Sequence, residues 1–474
     1  MNPPRFTFLL NAAQTESLRQ AVELLERELG RVLTVRAFPV SDLEEERLSA
    51  EEVRRALTEA EVVLLDIRGG GRAAGLAAAT LAHTRQPVLV LVGGSPELLR
   101  LVRLGSFALG DLLGRREAKP SGGPPFSLQR LQQLMRLIET GGSLLPWGRL
   151  RHARNWARAV RYWTHGGPEN LKNLLIFLAR EYAGLKLPQP APPREYPNYG
   201  IYDPFGGRHY REVQAYFRAV GHDPAVPTVG LLFYGGMHFD QSLVPARALA
   251  RELTERHGLQ ILPVFATAGH NLTALRQFFL AQGRPLIDAL VYFQWFQLTT
   301  FSDHPPEEAL RLLETLNVPV FNAAPLYGRD IARWRETEQG LSPVEVLTAV
   351  ILPELDGMIE PLPTAGLTEQ DTGLLGGTVR RVAPIPDRVA RLAARIAAWI
   401  RLKRTPPHQR RVAFLLYDYP PGEDNLGSAA YLDVFASLER LFTAMQEAGY
   451  RVEGIPPAGH LPEMLLSRGL VNDP

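Results

Sequence analysis

The chain has 474 residues, enough for two to four domains rather than one. Hydrophobic residues make up 45% and charged residues 22%, a globular balance that excludes a disordered chain. A net charge of +2, spread rather than blocked, argues against a nucleic-acid partner, and the absence of cysteine excludes disulfides, thiolate metal sites and cysteine nucleophiles.

The N-terminus has too short an apolar core for a secretory signal. No run of ~18 apolar residues reads as a membrane span, so a cytoplasmic location is expected. Residues 6–38, FTFLLNAAQTESLRQAVELLERELGRVLTVRAF, then read as a buried strand, a polar loop, an amphipathic helix ending at Gly30, and a second strand. This is a βαβ unit. Further strands are predicted at VVLLDI and PVLVLV, and SGGPPF (121–126) closes an N-terminal α/β domain of residues 1–126. A helical segment carrying arginine and tryptophan follows at 127–186, then a proline-rich linker at 187–227.

The βαβ plan returns at 228–265, with its helix ending at Gly258, and again at 411–455, with its helix ending at Gly449. ALVYF and VPVFNAA add strands, residues 364–384 read as a loop or insertion, and 387–404 as a basic amphipathic helix that could bridge two lobes. The region 228–474 is therefore expected to form two α/β lobes, about 228–386 and 387–474. The predicted class is α/β: several βαβ units, mostly parallel sheets in two or more lobes, and a helical connecting segment.

The loop after the third predicted strand, YDYPPGEDNLGSAAYLDVF (417–435), has two glycines at a spacing that echoes a phosphate-binding loop. Ser428 stands where that loop needs lysine, and Glu423 and Asp424 would repel a nucleotide, so no ATP site is expected. Asn425 or Ser428 is expected to cap the following helix. Loops at the carboxyl ends of parallel strands are nonetheless where such folds place ligands, which makes Tyr417 and Asn425 candidates at a cleft wall.

His238 follows a strand beside Asp240 and is a candidate ligand or proton carrier, against a hydrogen-bonded structural role. Trp295, among Phe293 and Phe296, packs a core or stacks on a flat ligand. His304 and Asp303 precede a strand-to-helix turn, where Asp303 serves equally as a helix cap. Glu354, Asp356 and Glu360 cluster in PELDGMIEP, an acidic turn that also offers oxygen ligands to a hard cation. The eleven histidines show no zinc spacing. Ser242, Ser302 and Ser428 lack a nucleophile-elbow context.

Several blocks resemble the magnesium/cobalt chelatase large-subunit family, and in particular the large, porphyrin-binding H-type member of magnesium chelatase. They are YPPGEDNLGSAAYLDVFASL, LSPVEVLTAVILPELDGMIEP (341–361), SDHPPEEALRLLETLNVPVFNAAPL (302–326), FTFLLNAAQTESL, LVRLGSF and YWTHGGPENLKNLLIFLAREYAG. The last tilts the choice toward the magnesium branch. The chain departs from the family at Gly236-Met237-His238, which keeps only the histidine of an Arg-Ser-His block. It departs again at VYFQWFQLTTF, where the family is smaller and richer in glycine.

The resemblance implies a subunit that holds protoporphyrin IX while Mg2+ is inserted, as a step toward (bacterio)chlorophyll. ATP would be hydrolysed by separate AAA+ partner subunits. His238, Trp295, Asn425 and Tyr417 are the substrate-binding candidates, and His304, Glu354 and Asp356 the metal-ligand candidates. No catalytic residue is assigned. The alternatives are a cobaltochelatase large subunit of cobalamin biosynthesis and a non-catalytic tetrapyrrole carrier or scaffold. Family members continue well past LLSRGLVNDP. The chain is therefore expected to be a fragment, or a shortened relative with a C-terminal companion chain.

Overall fold

The computed structural model describes residues 3–113 and 148–468, apart from 69–70, 93–94, 339, 372, 418 and 420–424. The SGGPPF boundary and the Pro420–Asp424 part of the glycine-containing loop lie outside the described residues. Two compact units divide the chain at Ala394 and Arg395, within the helix Pro386–Arg404.

In the first unit, apolar runs become strands buried on both faces. The strands β1 (Arg5–Leu10), β2 (Thr34–Pro39), β3 (Val62–Leu65) and β4 (Val88–Val90) form a parallel sheet. Its order is β2-β1-β3-β4, extended by the short antiparallel β5 (Arg103–Leu104) and β6 (Phe107–Ala108). In register, Phe8 sits between Ala37 and Leu64. The helices Arg149–His165 and Pro168–Tyr182 share this sheet's core: Trp163 stacks on Phe8 at 6.0 Å between centroids, and Trp156 Nε1 donates to Val90 O at 3.3 Å. Burying such rings stabilises the lobe by about 2–3 kcal/mol each.

A second sheet collects β7 (Tyr199–Tyr202), β8 (His209–Tyr210), β9 (Thr228–Tyr234) and β10 (Gln260–Ala266). Beyond a small hairpin, β11 (Leu280–Ala281) and β12 (Arg284–Pro285), come β13 (Ala289–Tyr292) and β14 (Val320–Asn322). The order is β14-β13-β9-β10-β7-β8, with β10, β9, β13 and β14 parallel. Numbering those four by sequence gives the arrangement second-first-third-fourth, the order of the first sheet. Helices end as their glycines require: Gly30 and Gly258 both carry positive φ at the C-terminal caps.

Three expectations differ from the structure. Residues 199–220, inside the interval read as linker, form β7, β8 and the helix Val213–Val220. Tyr199–Tyr202 pairs antiparallel with β10, Ile201 opposite Val264, because an open sheet edge accepts any strand whose alternation suits it. Residues 364–384, read as a loop or insertion, are not irregular but form an antiparallel hairpin, β15 (Ala365–Asp371) and β16 (Thr378–Pro384). In β16 the buried Val379, Arg380 and Val382 do not alternate, and two adjacent arginines break the apolar run, which hid it.

The third βαβ unit is the largest difference. In the second unit the helix Val434–Glu447 forms, but 411–417 and 451–455 carry no ladder among the described residues, and Leu415 is 95% exposed. A parallel strand exists only as part of a sheet, so its apolar pattern alone cannot make one. The helix is capped by Asp433, whose carboxylate accepts from Ala436 N at 2.9 Å, and not by Asn425 or Ser428. No helix among the described residues is long and apolar enough to cross a membrane.

Candidate functional site

In an open parallel sheet the loops after the two strands that flank the reversal of order diverge and leave a crevice. In the first sheet these loops follow β1 (Asn11–Gln14) and β3 (Asp66–Arg68). In the second they follow β9 (Gly235–His238) and β13 (Phe293–Phe296). The loops from the two sheets meet. Gln14 Nε2 lies 3.4 Å from His238 Nδ1 and 3.5 Å from Met237 O, and the Arg68 guanidinium touches Met237 Sδ at 3.7 Å.

His238 is set at this junction by the turn Gly236–His238, which leads into the helix Phe239–His257. Its Nδ1 is flanked by Gln14 and by Gln241 Oε1 at 3.2 Å, while Nε2 makes no hydrogen bond to a described residue. Burial, reinforced by the Arg68 charge, pushes its pKa down to about 4, so the imidazole is neutral at physiological pH. Gly166, at φ +62°, lets the helix end come within reach of Met237 and supports the turn from below.

Trp295 is held on the neighbouring loop. Its backbone N–H donates to Tyr234 Oη at 3.1 Å, and its indole Nε1 donates to Pro325 O at 2.8 Å. Tyr234 bridges the two candidates, with its ring 5.7 Å from His238 and 6.5 Å from Tyr327, which in turn lies 5.9 Å from Trp295. Phe293 is fully buried in the core, and Phe296 adopts φ +70°, a strained position for a bulky residue beside the site.

The remaining candidates do not join this cluster. His304 Nδ1 lies 2.7 Å from Glu308 Oε2, and Arg276 on the same carboxylate holds Glu308 below the usual range. Asp303 does not cap its helix, whose N-cap is Pro305. Glu354 is exposed while Asp356 is buried, accepting from Leu298 N at 2.7 Å; burial pushes its carboxyl up. Asp356 thus ties a loop down. Among the described residues no three histidine or acidic side chains gather as a metal-ligand group. In the second unit Tyr417 is exposed, its carbonyl accepting from Gly427 N at 2.9 Å, and Asn425 O accepts from Ser428 N at 3.0 Å.

Sequence reasoning missed Gln14, Asp66, Arg68, Tyr234, Gln241 and Tyr327. The rule that nominated the 417–435 loop also applied to FTFLL-Asn11 and VVLL-Asp66, where it would have found three of them. Two clefts open beside the junction. One, of about 200 Å3, is lined by residues including Asn11, Ser41, Asp66, Arg68 and Gly328. The other, of about 350 Å3, lies between Glu16, Gln20, Asp240, Gln241 and Arg381.

The fold and junction define a two-sheet α/β protein in which loops at the carboxyl ends of the two sheets' strands meet. The model of the family described as CobN/Magnesium Chelatase matches residues 160–474, and the chain belongs to that family. A Domain of unknown function (DUF3479) matches residues 6–156. The chain is 29% identical over 402 residues to the chloroplastic magnesium-chelatase protein ChlH of Oryza sativa subsp. indica, covering 78% of this chain and 28% of that protein. It is 28% identical to the H-type magnesium-chelatase protein of Rhodobacter capsulatus, covering 76% and 31%. It is also 29% identical to the aerobic cobaltochelatase protein CobN of Sinorhizobium sp, covering 67% and 24%. In fold it resembles the Catalytic Subunit of Cobaltochelatase from Mycobacterium tuberculosis, with a TM-score of 0.52 and 22% identity over 99% of this chain and 33% of that one. The chain thus spans about a third or less of the length of each of these relatives.

Proposed function

We propose that this chain is the ring-holding part of a chelatase large subunit that keeps protoporphyrin IX in place while Mg2+ is inserted, on the route to (bacterio)chlorophyll. The observation that carries the reading is the family match over residues 160–474, which includes the strand leading to His238 and the loop bearing Trp295. The reading includes cytoplasmic AAA+ partner subunits that hydrolyse ATP, and a polypeptide supplying the later family segments. Insertion must strip water from a tightly hydrated ion and remove two pyrrole protons. A neutral imidazole beside aromatic faces suits ring positioning: it offers a lone pair or an N–H without the cost of a buried charge.

The cobalt branch is the second reading, supported by the 29% identity to the CobN of Sinorhizobium. The test is a titration of the chain with protoporphyrin IX, following tryptophan emission and the Soret band. Saturable one-to-one binding at micromolar affinity, with quenching reduced in Trp295→Phe, is the expected result. A folded chain that shows no binding refutes ring holding by these residues. Adding partner subunits and comparing Mg2+ with Co2+ separates the branches, and binding without insertion of either metal favours a carrier.

A further inference from the structure

Arg68 stands at the switch point of the first sheet with most of its hydrogen-bonding capacity unused. Its Nε reaches Asp66 Oδ1 at 3.3 Å, and Nη2 meets only the thioether of Met237. No described residue offers the rest of the guanidinium an oxygen. Asp66 is fully buried, and its other oxygen is taken by Trp163 Nε1 at 3.0 Å, so this carboxylate anchors the arginine stem rather than covering its outer edge. Arg68 lines the 200 Å3 cleft together with Asn11, Ser41 and its own anchor Asp66. Asn11 Oδ1 accepts from Ala13 N at 3.0 Å, leaving its amide N–H2 without a described partner.

A guanidinium with unused donors and an amide of a second residue lining the same small cleft match one ligand chemistry, a planar oxyanion bound through paired hydrogen bonds. The size decides what enters. Pockets that enclose a drug-sized molecule run to about 300–1,000 Å3, so this cleft admits a carboxylate arm and not a macrocycle. We infer that Arg68, with Asn11, binds a carboxylate of the ligand, a propionate arm of the tetrapyrrole, while the ring stays outside the cleft. This rests on the tetrapyrrole reading above and names the group recognised and the residue that recognises it. The first lobe then contributes to ligand selection through charge, and the His238 side through its neutral imidazole and aromatic faces.

The test compares protoporphyrin IX with its dimethyl ester, which keeps the ring and removes both charges, on the full chain and on Arg68→Gln and Arg68→Lys. Circular dichroism and thermal unfolding check that each variant folds; Arg68 is 42% exposed, so both should. The diacid should bind about tenfold or more tighter than the ester, as expected for a charge-assisted hydrogen bond. Arg68→Gln should abolish that preference by weakening the diacid about tenfold and the ester far less. Arg68→Lys should keep part of it, and added salt should weaken the diacid alone. Equal binding of diacid and ester, or equal losses for both in Arg68→Gln, overturns the assignment and leaves ring binding intact. If neither porphyrin binds the folded chain, the tetrapyrrole reading fails and takes this assignment with it.

Discussion

Arg380 and Asp42, 338 residues apart in the chain, form a buried ion pair. Arg380 lies on β16 and Asp42 in the short helix after β2, so the pair fastens the hairpin to the first sheet. Thr15 reinforces it, its hydroxyl accepting from Arg380 N at 2.8 Å, and Ala37 N donates to Leu375 O at 3.1 Å. The hairpin follows the strands of the second sheet in sequence yet packs against both lobes.

The charges in this clamp are not equivalent. Asp42 also pairs with Arg47 at 2.5 Å, whereas Arg380 keeps only the half-exposed Glu369 at 2.8 Å once Asp42 is gone. Asp42→Ala should therefore cost about 5 kcal/mol and Arg380→Ala about 3 kcal/mol, the upper and lower ends for breaking a buried pair. Urea unfolding of the two variants checks the ranking, and the reverse order would refute it.

The depressed pKa of His238 carries a pH dependence whose sign is set. The unfolded chain takes up this proton near pH 6.5 and the folded chain only near 4, so stability falls as acid rises between those values. The loss is at most about 3 kcal/mol and is complete below the folded value. His238→Gln should flatten that part of the stability–pH curve. In the wild-type chain the imidazole resonances should still be those of the neutral ring at pH 5.5; a protonated ring there would contradict the half-buried position within the field of Arg68.

Gly166 supports the His238 turn through close approach. A Cβ at this position would stand 2.8 Å from Met237 Cα, on a backbone already at φ +62°. Gly166→Ala should destabilise by about 1–3 kcal/mol from backbone strain alone. It should also shift the His238 resonances, a change that a remote destabilising substitution would not produce.

Residues 411–417 carry a strand's apolar pattern without a strand's hydrogen bonds. Their amides should exchange with solvent far faster than those of β9, whose two ladders bury Val229–Phe233. Hydrogen exchange read by mass spectrometry decides this, and slow exchange at 411–417 would mean a pairing not seen in this structure.

Local signals were enough for the elements that nucleate on themselves. The runs FTFLL, VVLLDI and TVGLLFY, the amphipathic helices behind them and the glycines that end those helices announce parallel α/β sheets. Strands buried on both faces need continuous apolar sequence, and helix ends need a residue that tolerates positive φ. The same signals brought out His238 and Trp295, one at the carboxyl end of β9 and the other at that of β13.

Only the tertiary structure decided what those ends face. Gln14 and His238 meet across 224 positions of sequence, and Arg68 reaches Met237 across 169. Such pairs leave no periodicity, because each contact depends on how one folded sheet docks on another. The added strand Tyr199–Tyr202 was hidden for the same reason. It pairs with Val264–Ala266 of β10, distant in sequence, whereas the apolar run at 411–417, strand-like in sequence, joins no ladder among the described residues. Sequence sets which segments can become strands, and the presence of a sheet to join decides which of them do.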